Sequence, residues 1–109
     1  MKVLYVAPFR KPWVKEIPGD LESLKKQVEG SIEAIYPFDD MVAVICNEEG
    51  KLSNLMPNRI LRDDKGEAYD YICGPFLVTG IGEEDFTSLT DEQVEKYTKL
   101  FMSTETLLF

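Results

Sequence analysis

The later apolar segments of this chain are joined by connections too short for anything but reversals. Met41–Cys46, Lys51–Leu55, Ile60–Arg62, Glu67–Cys73 and Phe76–Thr79 read as strands. Asn47-Glu48-Glu49-Gly50, Asp63-Asp64-Lys65-Gly66 and Gly74-Pro75 are compact breakers among them. Parallel neighbours need a crossover of roughly a dozen residues or more, so these strands must pair antiparallel. Met41–Cys46 is continuously apolar and β-branched, the pattern of a central strand covered on both faces. Lys51–Leu55 reads as a short returning strand and Met56-Pro57-Asn58-Arg59 as a loop.

Residues 2–7 are apolar enough for a buried strand, and Trp13–Ile17 and Ser31–Tyr36 alternate with a period of two. Pro18-Gly19 ends the second of these runs, and Asp20 stands where a helix cap is needed. Leu21, Leu24 and Val28 then share one helical face, with Gly30 placed to close the helix. Near the other end, Thr90 and Gln93 form a capping box, with Leu89 and Val94 as its hydrophobic staple. Val94, Tyr97, Leu100 and Phe101 make the apolar stripe that follows. The expected fold class is α+β: a largely antiparallel sheet of five to seven strands with two helices, at about 20–30 and 90–103. Residues 1–109 read as a single domain, and the apolar Leu107, Leu108 and Phe109 are expected to dock on the core or on a partner.

Composition excludes several functions. The chain contains no histidine, so neither a Ser-His-Asp triad nor an imidazole-ligated metal is available. A net charge of −8 makes direct nucleic-acid binding a poor expectation. No apolar run reaches the roughly 20 residues of a membrane span. The opening residues do not read as a signal peptide. Cys46 and Cys73 end apolar runs and read as buried free thiols, which fits a reducing cytoplasm. The paired acids at Asp39-Asp40, Glu48-Glu49, Asp63-Asp64 and Glu83-Glu84-Asp85 fall in turns, where solvated carboxylates are common. Their spacing suggests no metal site, nothing requires a cofactor, and no catalytic set converges, so the chain is not expected to be an enzyme.

The charge is unevenly distributed. Residues 1–26 hold six bases and three acids, a net of +3; residues 27–109 hold six bases and seventeen acids, a net of −11. Within the acidic part, Arg59 and Arg62 are the only arginines. Arginine grips carboxylates and phosphates bidentately, and Asn58 beside it adds an amide, so Asn58, Arg59 and Arg62 are the candidate anion-binding residues. The competing reading pairs both arginines with Asp63, Asp64 or Glu67. Trp13, preceded by Pro12 and flanked by Lys11 and Lys15, is a further candidate binding residue.

Several segments together carry a resemblance: Asp20-Leu21-Glu22-Ser23-Leu24, Ile32-Glu33-Ala34-Ile35-Tyr36-Pro37-Phe38, Cys46-Asn47-Glu48-Glu49-Gly50-Lys51-Leu52, Pro57-Asn58-Arg59, Gly74-Pro75-Phe76 and the stretch 84–93. They resemble the family known as domain of unknown function 3846. The resemblance implies bacteriophages, conjugative elements and Gram-positive gut bacteria as the setting, sometimes beside antirestriction proteins. It names no catalytic residue. The function expected is a non-catalytic binding protein of a phage or mobile element, acting in the host bacterial cytoplasm. Its expected partner is a small anionic, nucleotide-like ligand of a host defence or a host protein, with self-association into a homo-oligomer. An acidic DNA-mimic or antirestriction-type inhibitor is one alternative. A structural or interaction domain without a small ligand is another.

Overall fold

The computed structural model describes residues 1–103. Eight strands and two helices follow the order β1 (Lys2–Val6), β2 (Trp13–Glu16), α1 (Leu21–Val28), β3 (Ile32–Ile35), β4 (Val42–Asn47), β5 (Pro57–Arg62), β6 (Ala68–Cys73), β7 (Phe76–Ile81), β8 (Phe86–Thr87) and α2 (Asp91–Leu100). The class is α+β. A six-stranded antiparallel sheet runs β2-β1-β7-β4-β3, with β8 on β7, and β5 and β6 form a separate two-stranded sheet.

The period-two alternation of each strand decides what lies above and below the sheet. Leu4, Val6, Val44, Phe76 and Val78 face one way and pack with Leu61 and Ile72 of the small sheet and Tyr97 and Phe101 at α2. Val3, Ala43, Ile45 and Leu77 face the other way and pack with Leu24 and Val28 of α1. β4 and β7 are therefore covered on both sides, and their continuous apolar character follows from that. The helix caps are those expected. The Asp20 side chain accepts from Ser23 N, and Thr90 with Gln93 makes the reciprocal capping box. α1 closes one residue earlier than Gly30, on Glu29, which takes the left-handed φ of 66°.

Two expectations on the path into the small sheet are corrected. Residues 51–54 are turns rather than a strand, and the segment from Pro57, expected as a loop, is already β5. Gly50 explains part of this: a Cβ there would come 2.6 Å from the Cys73 carbonyl, so the chain must pack tightly against β6 before β5 begins. β8 was not foreseen, because two residues are too few to show a period. The apolar ending at Leu107–Phe109 lies outside the described residues.

Candidate functional site: the loop between β1 and β2 and its buried clamp

The connection from Val6 to Trp13 begins with a tight turn in which Arg10 N–H bonds Ala7 O at 3.3 Å. Pro8 sits at the second turn position, where its ring presets φ. Phe9 occupies the third with φ 63°, the type II position that glycine normally fills. A bulky aromatic residue there is strained and holds only when its surroundings dictate the shape. Phe9 is 60% exposed, so its own packing does not account for the strain.

Arg59 supplies the constraint. It is 3% exposed and sits on β5 beneath the loop. Its Nη2 donates to Arg10 O at 2.5 Å and to Phe101 O at 3.0 Å. Nη1 reaches Ala7 O at 3.5 Å, Asn58 O at 3.3 Å and Asn58 Oδ1 at 2.8 Å, and Nε donates to Phe101 O at 3.2 Å. One guanidinium thus grips both ends of the Ala7–Arg10 turn and the C-terminal cap of α2. All of these partners are neutral carbonyl oxygens, and burial pulls the Arg59 pKa below its ordinary value. Asn58, also buried, completes the clamp by donating to Val6 O and Gly74 O, each at 2.9 Å. Consecutive residues of one strand normally face opposite ways. Asn58 and Arg59 both turn inward because the β5–β6 register shifts between Pro57 and Arg59.

The four sequence candidates divide accordingly. Asn58 and Arg59 meet at the clamp. Trp13 stands at the far end of the same loop, 40% exposed, with its ring 4.9 Å from that of Tyr5. Lys15 Nζ lies 3.8 Å above the Tyr5 ring and bonds Gln27 Oε1 of α1, fixing this aromatic pair. Arg62 is elsewhere: exposed on the β5–β6 hairpin, with Nη1 bonded to Gly66 O at 3.0 Å across the turn. Arg59 and Arg62 border a common hollow of about 170 Å³ walled by Phe38, Leu61, Leu100 and Phe101. The donors of Arg59 nonetheless point to carbonyls. Sequence reasoning missed Phe9; the Pro8 and Pro12 bracket marked a turn but carried no sign of its handedness.

Arg62 also lines a wide hollow of about 730 Å³ with Asp39, Asp63, Lys65 and Lys96, and two further hollows bear on the loop and the cysteines. One of about 330 Å³ lies against the loop, lined in part by Tyr5, Pro8, Arg10, Met56 and Pro75. The second, about 290 Å³, lies between β4 and β6 and is lined in part by Glu33, Cys46, Lys51, Asp70, Tyr71 and Cys73. There Lys51 is held by Asp70 at 2.5 Å and stands 4.4 Å over the Tyr71 ring. Both cysteines are free and buried. Burial pushes the Cys46 thiol up to about 11 and raises Cys73 as well, so neither offers a thiolate near neutrality. Among the described residues no group of three or more Cys, Asp or Glu is arranged to hold a metal ion, and no helix is long and apolar enough to cross a membrane.

Comparison with known proteins adds one assignment. No curated protein and no solved structure matches the chain. The model of the family described as domain of unknown function (DUF3846) matches residues 1–102, and the chain belongs to that family.

Proposed function

We propose that this chain is a non-catalytic binding protein of a phage or other mobile element, that it acts in the host cytoplasm, and that its binding element is the Ala7–Trp13 loop engaging a host protein. One observation carries this reading: a buried guanidinium is committed to holding an exposed aromatic residue in a conformation it would not adopt alone. Burying an unpaired charge is costly, and the largely exposed Phe9 ring returns little to folding that would offset it. A surface held rigid before contact loses less entropy on association, which is what such a clamp provides to a binding loop. Phe9 and Trp13 supply aromatic area of the kind enriched in interface hot spots. Arg10 and Lys11 supply charge, and neither makes an ion pair among the described residues.

The same geometry moves the reading away from capture of a nucleotide-like anion by Arg59. A phosphate would have to displace carbonyls from the Arg59 donors and release the loop. The test is a pull-down from host lysate with the wild type and a Phe9→Ser, Lys11→Glu double variant, followed by reconstitution with the purified partner. The expected result is a partner retained by the wild type, lost from the variant, and bound less tightly as salt rises. Equal retention by both proteins overturns the reading. So does a nucleotide that raises the melting temperature of the wild type and not of Arg62→Ala.

A further inference from the structure

We infer that the partner is an acidic, extended peptide segment that adds as a strand to the free edge of β2, an inference that rests on the loop reading above. β2 is the outermost strand and pairs only with β1 among the described residues. The hydrogen-bond phase along that pair identifies the groups facing outward. Met1 N donates to Ile17 O at 2.7 Å and Ile17 N–H returns to Met1 O at 3.0 Å, which makes Met1–Ile17 a bonded pair. Bonded pairs alternate along an antiparallel ladder, so Val3–Lys15 and Tyr5–Trp13 are the next ones. Lys2 confirms the phase, because its main chain turns away from β2 to bond Ser88 Oγ and Leu89 N. The N–H and C=O groups of Val14 and Glu16 therefore point off the sheet edge, where a peptide strand would find them.

Pro12 and Pro18 bracket this edge, so it accepts only a short strand. The exposed side chains of Trp13 and Val14 flank it on opposite faces. The choice of an acidic occupant follows from charge. Residues 1–26 carry a net +3, and among the described residues Arg10 and Lys11 at the head of the edge make no ion pair. A second copy docked edge to edge would oppose two such basic segments. Glu29 lines the hollow beside Arg10 and Tyr5, and those acids of the remainder that lie beyond a Debye length of about 8 Å are screened at physiological salt.

The test uses eight-residue peptides alternating Glu or Asp with Val or Tyr, read by fluorescence anisotropy against intact protein. Controls are the same peptides with Lys for the acids, peptides N-methylated at alternate residues, and oligothymidylate. Two variants report on different parts. Val14→Pro removes one outward N–H at an edge position that tolerates proline. Phe9→Ser with Lys11→Glu alters the loop and leaves the edge intact. Circular dichroism checks that both fold. The acidic peptides are expected to bind, with at least tenfold loss on N-methylation in the productive phase, on Val14→Pro and on exchange of acids for Lys. Binding that is lost in the loop variant but indifferent to N-methylation and to Val14→Pro overturns strand addition and leaves the loop reading standing. Binding of none of the peptides, preferential binding of oligothymidylate, or a dimer whose formation Val14→Pro abolishes overturns the inference.

Discussion

Arg59 and Arg62 lie three residues apart on one strand and serve opposite ends. Arg59 is enclosed, and its donors all terminate on neutral carbonyl oxygens, those of the main chain in three separate segments and the side-chain amide of Asn58. Arg62 is exposed and bonds the carbonyl of a residue only four positions away. The difference arises from the backbone. A register shift on each side of the Arg59–Leu61 stretch sets which side chains turn inward, and it gives the first arginine a closed chamber and the second a hairpin surface. The same side chain is thus a folding device in one place and a solvated group in the other. The loop it braces is positioned by a residue about fifty positions away in sequence.

Breaking the enclosed member has the largest expected effect. Arg59→Ala strips the carbonyls of Ala7, Arg10 and Phe101 of a donor at once and opens a cavity. About 3–5 kcal/mol of stability should be lost in chemical denaturation, the range for disrupting a buried charged network. Arg59→Lys should recover little of it, because an ammonium cannot reproduce the planar fork that reaches the loop and the α2 cap together. A loss under about 1 kcal/mol for Arg59→Ala would show that the clamp does not hold the loop.

Asn58→Ala should cost about 2–3 kcal/mol, since it leaves Val6 O and Gly74 O without their donor. Asn58→Asp sharpens the comparison. It places a carboxylate beside Arg59 but removes the amide donor, and it should remain destabilised despite the new ion pair. Recovery of wild-type stability by Asn58→Asp would mean that the charge of Arg59, rather than its bonding, governs the site.

A partly exposed contact elsewhere on α2 gives an intermediate effect. Tyr97 donates to Asp40 Oδ2 at 2.7 Å. That bond is the main cause holding the Asp40 carboxyl below its ordinary 3.8, and burial, then Asp40, raise the Tyr97 phenol above 10.0. Tyr97→Phe should cost about 1 kcal/mol near neutrality. The pH dependence has a definite sign. A lowered carboxyl stabilises above its unfolded pKa, and this contribution disappears as pH falls through the lower folded value. A raised phenol stabilises below 10.0, and this contribution disappears as pH rises beyond it. The gap between wild type and Tyr97→Phe should therefore be level from about pH 5 to 9 and shrink on both sides, as urea denaturation across pH will show. Arg62→Ala, at the exposed hairpin, should cost at most about 1 kcal/mol.

What could be read from the sequence follows the same division. Alternation and apolar runs located β1, β2, β4 and β7, and Asp20, Thr90 and Gln93 marked the helix starts, because each of those signals is local. Asn58 and Arg59 were recognisable as unusual residues, but their role was not. Whether a guanidinium faces solvent or a carbonyl cage depends on a bulge and on segments from both ends of the chain. Phe9 was invisible for a related reason: residue preferences assign glycine to a left-handed turn position, and a phenylalanine is placed there only by contacts distant in sequence.

The smallest expected effect separates the loop from its clamp most cleanly. Phe9→Gly relieves a left-handed φ that costs a side-chain-bearing residue roughly 1–2 kcal/mol. It also gives the unfolded chain extra freedom worth about 0.5–1 kcal/mol. The ring is largely solvated, so little packing is lost. The two terms nearly cancel, and stability should stay within about 0.5 kcal/mol of the wild type or rise slightly. Partner binding should fall sharply in the same variant, the opposite of a core residue, where stability and function decline together. If Phe9→Gly instead destabilises by more than about 1 kcal/mol, the ring is part of the fold, and its exposure on a braced turn no longer points to recognition.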